Sequence, residues 1–430
     1  VYRLRCVKIN PSSLEGIVKI PASKSLCHRS IICASLSKEE SAIENLIYSK
    51  DIDATLGCMK ELGAYISYFD NKNKVIIKGG KTSEDVEKQL NCCESGSTLR
   101  FLIPVSLLYN GKSTFYGKGK LSKRPLEPYF NIFDEQSIEY SHPKMEFLPL
   151  SINGDLKPGT FKLKGNISSQ FISGLMFSLP LLNGDSKIEI TTPLESIGYI
   201  DMTIDMLKKF GVVIANNDYK SFYIKGNQNY KGQNYRVEGD FSQAAFWLVA
   251  GILNGNIVCE DLNASSLQGD KAIVKLIKAM GGDIDTNKFS TKTSNTKGIT
   301  IDASQCPDLV PILTVLAALS SGTTEIINAE RLRIKESDRL SAISTELNKI
   351  GAEVIEKKDG LIIHGKKTLK GGKVQSWNDH RIAMALAIAS LKCEEELVIE
   401  GSECVEKSYP QFFYDFKKLG GDVDEWCVGK

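Results

Sequence analysis

Three stretches of this chain share one layout, and that repetition limits the folds it can adopt. Residues 51–79 read DIDATLGCMKELGAYISYFDNKNKVIIKG, 199–226 read YIDMTIDMLKKFGVVIANNDYKSFYIKG, and 337–365 read SDRLSAISTELNKIGAEVIEKKDGLIIHG. Each predicts an amphipathic helix, an apolar–glycine step, a short strand, a polar turn and a second strand. In the second stretch Ile204, Leu207 and Phe210 recur at helical spacing with Lys208 and Lys209 between them. A glycine after the last apolar residue suits a left-handed helix C-cap. Segments such as Val75–Ile77 and Phe222–Ile224 suit strands.

The same step recurs at Met280–Gly281 and Leu419–Gly420, so the marker glycines are 63, 211, 281, 351 and 420. The last four lie 69 or 70 residues apart, and the first interval is about two such steps. A hidden copy is therefore expected near residue 137. There Tyr129–Leu148 has helix-like spacing but no glycine and a poor second strand, and it reads as a degenerate sixth copy. Six units of about 72 residues fill the 430-residue chain. A solenoid is the usual reading of a repeat. Units this long that mix helices with a strand pair fit two compact domains of three units at least as well.

Composition excludes several classes. The net charge is +2, so no global basic field supports nucleic-acid binding. Eleven cysteines include no CxxC pair, which predicts reduced thiols in a cytoplasmic protein rather than a zinc or redox motif. No apolar run reaches the ~20 residues of a membrane span, and Val1–Ile20 has no signal-peptide core. No metal cluster and no nucleotide fingerprint is evident, so neither a metal nor a cofactor is expected.

Six polar motifs stand at predicted entrances to apolar helices or in turns. PASKSLCHR (21–29) follows a strand-like Ile17–Ile20 and precedes an apolar Ser30–Leu36. ESGSTLR (94–100) opens an apolar run, Phe101–Leu108, and Gly96 permits close backbone approach to a ligand. Lys123-Arg124-Pro125 reads as a basic turn. Ser168-Ser169-Gln170 offers short hydrogen-bonding side chains. RIKESDR (333–339) packs five ionisable residues into seven positions at a helix opening, and Asn378-Asp-His-Arg381 enters the apolar Ile382–Ile388. Any one of these could be an ordinary capped helix start or, for Lys123-Arg124-Pro125, a surface turn. Two other motifs are decoys. Asn110–Thr114 ends like a P-loop, but Ser106 stands where its first glycine belongs. Asp240-Phe-Ser-Gln has no partner histidine at a telling spacing.

Taken together, the motifs place Lys24, Arg29, Arg100, Arg124, Lys335, Arg339, Arg381 and Lys407 mostly at helix N-termini, where backbone N–H groups favour anions. Arginine adds bidentate contacts to phosphate or carboxylate. Substrates with several negative groups are expected, with Asp308 and Glu336 as candidates for proton transfer.

In order along nearly its full length, the chain resembles the 5-enolpyruvylshikimate-3-phosphate synthases. The matching segments are PASKSLCHR, ESGSTLRFLIP, KRP, SSQF, ESIGYID, EGDFSQA, PDLVP, RIKESDR, NDHR and KSYP. The resemblance implies an α/β fold of two similar domains, each of three βαβαββ units in the inside-out barrel arrangement of enolpyruvyl transferases. Helix N-termini would face a cleft between the domains, which would close around the substrates. The domains would be 21–238, and 1–20 plus 239–430. It implies transfer of the enolpyruvyl group of phosphoenolpyruvate to shikimate 3-phosphate, with phosphate released. By the same resemblance, Lys24, Ser25, Arg29, Ser168, Ser169, Gln170, Ser196, Tyr199, Asp308 and Lys335 would hold shikimate 3-phosphate. Lys24, Gly96, Gln170, Arg124, Arg339, Arg381 and Lys407 would hold phosphoenolpyruvate. Asp308, Glu336 and Lys24 would be catalytic. The partners would be these two small molecules alone, without nucleic acid or membrane, and one chain carries every motif, so a monomer is expected.

The chain departs from the family at three places. Glu94 and Ser97 replace a common Asn and Thr beside Gly96, and Ile197-Gly198 replaces Lys-Pro, suggesting a less rigid turn. The nearest rival, UDP-N-acetylglucosamine enolpyruvyl transferase, carries a loop cysteine, and Tyr116–Pro125 has none. RNA 3′-phosphate cyclases share related units but are opposed by the near-neutral charge. A non-catalytic repeat scaffold is opposed by the presence of both Asp308 and Glu336.

Overall fold

The computed structural model describes residues 4–69, 73–80 and 86–428. The turn of the first repeat stretch, at 70–72, falls outside them. The chain divides into two compact units, 1–21 with 239–430, and 22–238. Each has its own apolar core.

Six four-stranded sheets repeat one pattern. In each, one strand pairs in parallel with a second, which pairs antiparallel with a third, and the third pairs antiparallel with the edge strand. Thus Thr160–Leu163 lies parallel to Ser186–Ile190, which lies antiparallel to Ser221–Ile224, which lies antiparallel to Ile214–Asn217. Parallel neighbours need a crossover, and a helix supplies it. In this copy the helix is Ser169–Ser178, and a second helix, Ile197–Lys209, precedes the antiparallel pair.

The two helices of a copy differ because their sequences do. The crossover helices Gly96–Ser106, Ser169–Ser178, Val310–Ala318 and His380–Ala389, and the corresponding helix Phe241–Asn254 that links two different sheets, are buried on nearly every face. A helix apolar all round must lie inside. Phe241–Asn254, Val310–Ala318 and His380–Ala389 pack on one another in the core of their unit. Second helices such as Arg339–Lys349 bury a single stripe.

The marker glycines do what their position predicts. Gly63, Gly211, Gly281, Gly351 and Gly420 have φ between 84° and 101°. After each, the next N–H bonds back to the carbonyl five residues earlier, as in Val212 N to Leu207 O at 2.9 Å.

The sixth copy is not degenerate. After the helix Glu127–Gln136, Ser137 takes the left-handed position at φ 57°, and Ile138 N bonds Phe133 O at 2.9 Å. Its strands are Glu139–Ser141 and Leu150–Asn153, so a longer connection pushes the second strand beyond Leu148. The copy ending at Gly420 has only one strand downstream, Asp422–Val428. The N-terminal strand Leu4–Asn10 completes it, pairing antiparallel with that strand and with Leu397–Glu400. Likewise Asn234–Arg236 returns to pair in parallel with Ser41–Glu44 and complete the first sheet of the 22–238 unit.

Several element boundaries move outward from the sequence reading. The helices begin at Lys24, Gly96 and His380 rather than at Ser30, Phe101 and Ile382, and the strand read at Ile17–Ile20 is Leu14–Lys19. Apolar runs mark only the buried stretch, whereas the polar motifs themselves form the first turns.

A left-handed serine costs more than a left-handed glycine. Ser137→Gly is therefore expected to raise the urea midpoint of the 22–238 unit, by up to about 1 kcal/mol in stability. An unchanged or lowered midpoint would contradict this account of the sixth copy.

Candidate active site

In the unit holding residues 239–430, three helix entrances meet around one guanidinium. Asp308 lies in the 3-10 turn Pro307–Leu309, ahead of the helix Val310–Ala318. Arg339 is the first residue of its helix, capped by Asp338, and Asp379 caps His380–Ala389 by accepting from Arg381 N at 2.9 Å. The Arg339 side chain is 1% exposed and donates to three carboxylates. Nε reaches Asp379 at 2.9 Å, Nη1 reaches Asp308 at 2.8 Å, and Nη2 reaches Glu336 at 2.6 Å. Ser337 Oγ donates to Asp379 at 3.0 Å. Of the RIKESDR motif only Arg339 is helical. Arg333 and Ile334 close a 3-10 turn, and Lys335–Asp338 bridge the two elements.

Asp308 gathers further cations. Arg381 Nη2 donates to its second oxygen at 3.0 Å, and Lys335 Nζ lies 3.5 Å from the first. Burial pushes its carboxyl pKa up, yet Arg381, Lys335 and Arg339 together outweigh that and hold it well below the usual range. Burial lowers Lys335 despite the opposing pull of Asp308. Arg339 is held charged, because Asp379, Glu336 and Asp308 overcome its burial. Beside this group Asp270 is buried and accepts a hydrogen bond from Ser242 Oγ. Burial, reinforced by the Asp308 charge, lifts its carboxyl to about 7.

Lys407 Nζ donates to Asn378 O at 2.7 Å. Trp377 and Asn378 are both left-handed, at φ 54° and 53°. The buried Glu346 holds this turn by accepting from Gln375 N at 3.0 Å and Trp377 Nε1 at 2.7 Å. Sequence reasoning missed Glu346. The available signal was a carboxylate on the buried face of an amphipathic helix.

The 22–238 unit holds a second polar cluster. Lys24 opens the helix Lys24–Leu36, and its Nζ meets Asp51 Oδ2 at 2.9 Å. Asp51 also went unnoticed, because an acid in a helical first turn looks ordinary. Arg29 is buried over the faces of Phe101 and Tyr199, and burial lowers its pKa to about 10. It donates to Thr203 Oγ1 at 2.8 Å, Ser25 O at 2.8 Å and Tyr199 O at 3.0 Å. Three of its five N–H groups thus bind protein, tying Ser25 and Tyr199 together. Ser196 caps the helix of Tyr199 in the left-handed conformation. Ile197 and Gly198 are helical there, so the expected looser turn is a helix start.

Gln170 links two helix entrances. Ser168 caps its helix by accepting from Gln170 N at 3.3 Å, with Ser169 as the first helical residue. The Gln170 side chain donates to Ser97 Oγ and accepts from Arg100 Nη1, both at 2.9 Å. A Cβ on Gly96 would lie 2.6 Å from Arg124 Nη1 and 3.7 Å from Gln170 Oε1. Gly96, Arg124 and Gln170 are therefore neighbours, and only glycine admits the guanidinium at that distance. Ser97, flagged as a departure, serves as the partner of Gln170.

Each unit thus carries a group of buried cations at helix entrances, and one unit adds three carboxylates sharing an arginine. Such an arrangement can hold phosphate or carboxylate and move protons beside it. Among the described residues no helix is long and apolar enough to cross a membrane.

Comparison with known proteins agrees with this chemistry. Residues 9–416 match the family model of EPSP synthase (3-phosphoshikimate 1-carboxyvinyltransferase). A 3-phosphoshikimate 1-carboxyvinyltransferase of Clostridium acetobutylicum is 66% identical over 428 residues, covering 99% of this chain and all of the relative. One from Clostridium kluyveri is 57% identical, with the same coverage. The structure of an EPSP synthase from Acinetobacter baumannii superimposes with a TM-score of 0.81 at 25% identity, covering 98% of this chain and all of that one.

Asp270 generates a prediction about stability. Its folded pKa is about 7, against about 3.9 in an unfolded chain. The folded state therefore holds a proton that the unfolded state has lost between those values, so this group lowers stability as pH rises through that window. Asp270→Asn should raise the urea midpoint at pH 8 more than at pH 4. An equal effect at both pH values would contradict the raised pKa.

Proposed function

The chain belongs to the EPSP synthase family, and we propose that it transfers the enolpyruvyl group of phosphoenolpyruvate to the 5-hydroxyl of shikimate 3-phosphate, a step toward chorismate and the aromatic amino acids. The observation that carries the reading is the Arg339 guanidinium bonded to Asp308 and Glu336 at 2.8 and 2.6 Å, with Arg381 and Lys335 also on Asp308.

Phosphoenolpyruvate carries a carboxylate and a phosphate, and Arg339, Arg381 and Lys407 are its proposed partners, with Lys24, Gly96, Arg124 and Gln170 from the 22–238 unit. Ser25, Arg29, Ser168, Ser169, Gln170, Ser196 and Tyr199 are assigned to shikimate 3-phosphate, with Lys24, Lys335 and Asp308. The chemistry conserves oxidation state and calls for no redox cofactor. Glu336 delivers a proton to the methylene carbon of phosphoenolpyruvate, and the neighbouring carbon becomes cationic. The 5-hydroxyl oxygen attacks that carbon while its proton passes to Asp308, with Lys24 assisting proton transfer. The product is a tetrahedral phospho-ketal. Its C–O bond to phosphate then breaks as Asp308 passes its proton to the departing phosphate oxygen, and the new methyl group returns a proton to Glu336.

The ion pairs account for timing. A carboxylate clamped by three cations is a weak base. When an anionic substrate engages Arg381, Arg339 or Lys335, Asp308 loses part of that stabilisation and its proton affinity rises. Basicity would thus appear when the substrate arrives.

Phosphate release should require both phosphoenolpyruvate and shikimate 3-phosphate, and release with either alone would overturn the assignment. Glu336→Gln should cut turnover by roughly 100- to 10,000-fold while shikimate 3-phosphate affinity, measured by calorimetry, stays within about threefold. Lost affinity with retained turnover would contradict the role of Glu336. Gly96→Ala should displace the Arg124 guanidinium and raise the KM for phosphoenolpyruvate far more than that for shikimate 3-phosphate. An unchanged KM would remove Arg124 from that subsite.

A further inference from the structure

The helix entrances bearing Lys24 and Gly96 are joined by a line of buried polar groups that the reaction chemistry does not use. His28 lies one turn beyond Lys24 on the same helix face, and it is 1% exposed. Its Nδ1 is 2.7 Å from Thr55 Oγ1. Thr55 Oγ1 is 2.7 Å from Thr98 Oγ1, and Thr98 Oγ1 is 2.7 Å from Ser95 Oγ. Ser95 caps the helix Gly96–Ser106 by accepting from Thr98 N at 3.2 Å. The line also meets the backbone of Asp51, whose carbonyl lies 3.4 Å from Thr98 Oγ1 and 3.5 Å from Thr55 Oγ1. The Asp51 carboxylate in turn holds Lys24.

We propose that His28, Thr55 and Thr98 are positioning residues, which fix the distance between Lys24 and the wall formed by Gly96 and Arg124. The inference rests on the assignment of those three residues to phosphoenolpyruvate. Three helices meet here: Lys24–Leu36, Lys50–Glu61 and Gly96–Ser106. Apolar contacts between helices tolerate small slides, but hydrogen bonds near 2.7 Å do not. A slide of Gly96–Ser106 against Lys50–Glu61 would break the Thr55–Thr98 bond. It would also move Gly96 relative to the Asp51 carboxylate that holds Lys24.

Proton counting gives the line a direction. His28 Nε2 is buried without a hydrogen-bond partner. A buried orphan N–H is rarer than an orphan acceptor, so the ring proton belongs on Nδ1. His28 then donates to Thr55, Thr55 to Thr98, and Thr98 to Ser95. Protonation of Nε2 would place an unpartnered charge in the core, beside Lys24 and Arg29. Burial first, then those two cations, lowers the imidazole pKa well below its ordinary value.

Steady-state kinetics of Thr55→Val and His28→Asn test the role, because valine keeps the shape of threonine without its hydroxyl, while the asparagine amide can still donate to Thr55. Thr55→Val should raise the KM for phosphoenolpyruvate about tenfold, with kcat and the KM for shikimate 3-phosphate within about twofold. His28→Asn should stay within about threefold of the unaltered protein in all three. A Thr55→Val enzyme with unchanged KM, or with all three constants impaired alike, would overturn the proposal. Nitrogen-15 NMR of the unaltered protein decides the matter even if the variants fail to fold or the proposed reaction is absent. The His28 ring should carry its proton on Nδ1 at neutral pH and stay neutral through the ordinary histidine titration range. Protonation within that range, or a proton on Nε2, would overturn the inference. Absence of phosphate release by the unaltered protein would count against the function alone.

Discussion

Arg339 is the group on which the charged cluster of the 239–430 unit depends. It is a fully buried guanidinium facing Asp308, Glu336 and Asp379, and each carboxylate comes from a different turn or helix entrance. Burial of a lone charge is prohibitive, so the four groups stabilise one another or not at all. Deleting the arginine would leave three carboxylates sharing fewer cations, and breaking a buried pair of this kind costs about 3–5 kcal/mol. Geometry matters as much as charge. A lysine could neutralise one carboxylate, but only a planar fork with five N–H groups can bind three at fixed angles.

The repeated fold explains why those entrances exist. In four of the copies a parallel strand pair demands a crossover helix, and that helix is buried on nearly all sides. Its first turn is where polar side chains can cap unpaired N–H groups and face a ligand. Asp240, Asp379, Ser95 and Ser168 all occupy such capping positions. One structural rule, applied copy after copy, therefore yields a set of similar entrances on which different side chains have been placed. The copies closed by Leu4–Asn10 and Asn234–Arg236 show that the repeat is completed by strands distant in sequence.

Much of this was legible in the chain. The five marker glycines announced helix ends, and all five are left-handed. The motifs with several charges, RIKESDR and NDHR, lie where the cations converge. The sixth copy looked broken because Ser137 performs the glycine's role with an ordinary residue, and because its second strand is displaced to Leu150–Asn153. The supporting groups were harder to see. Asp51, Glu346, Thr55 and Thr98 are common residue types at common helical positions, and their significance lies in contacts made across tens of residues. The decoy Asn110–Thr114 is a turn leading into the strand Ser113–Tyr116.

The central claim is that the basicity of Asp308 is governed by cations it shares with a substrate. Carbon-13 NMR of the Asp308 carboxyl, titrated with and without phosphoenolpyruvate, reads this directly. The free protein should show a carboxyl well below the usual aspartate range, and the ligand should move it upward. A carboxyl that titrates normally in the free protein, or that does not move when the ligand binds, would contradict the account.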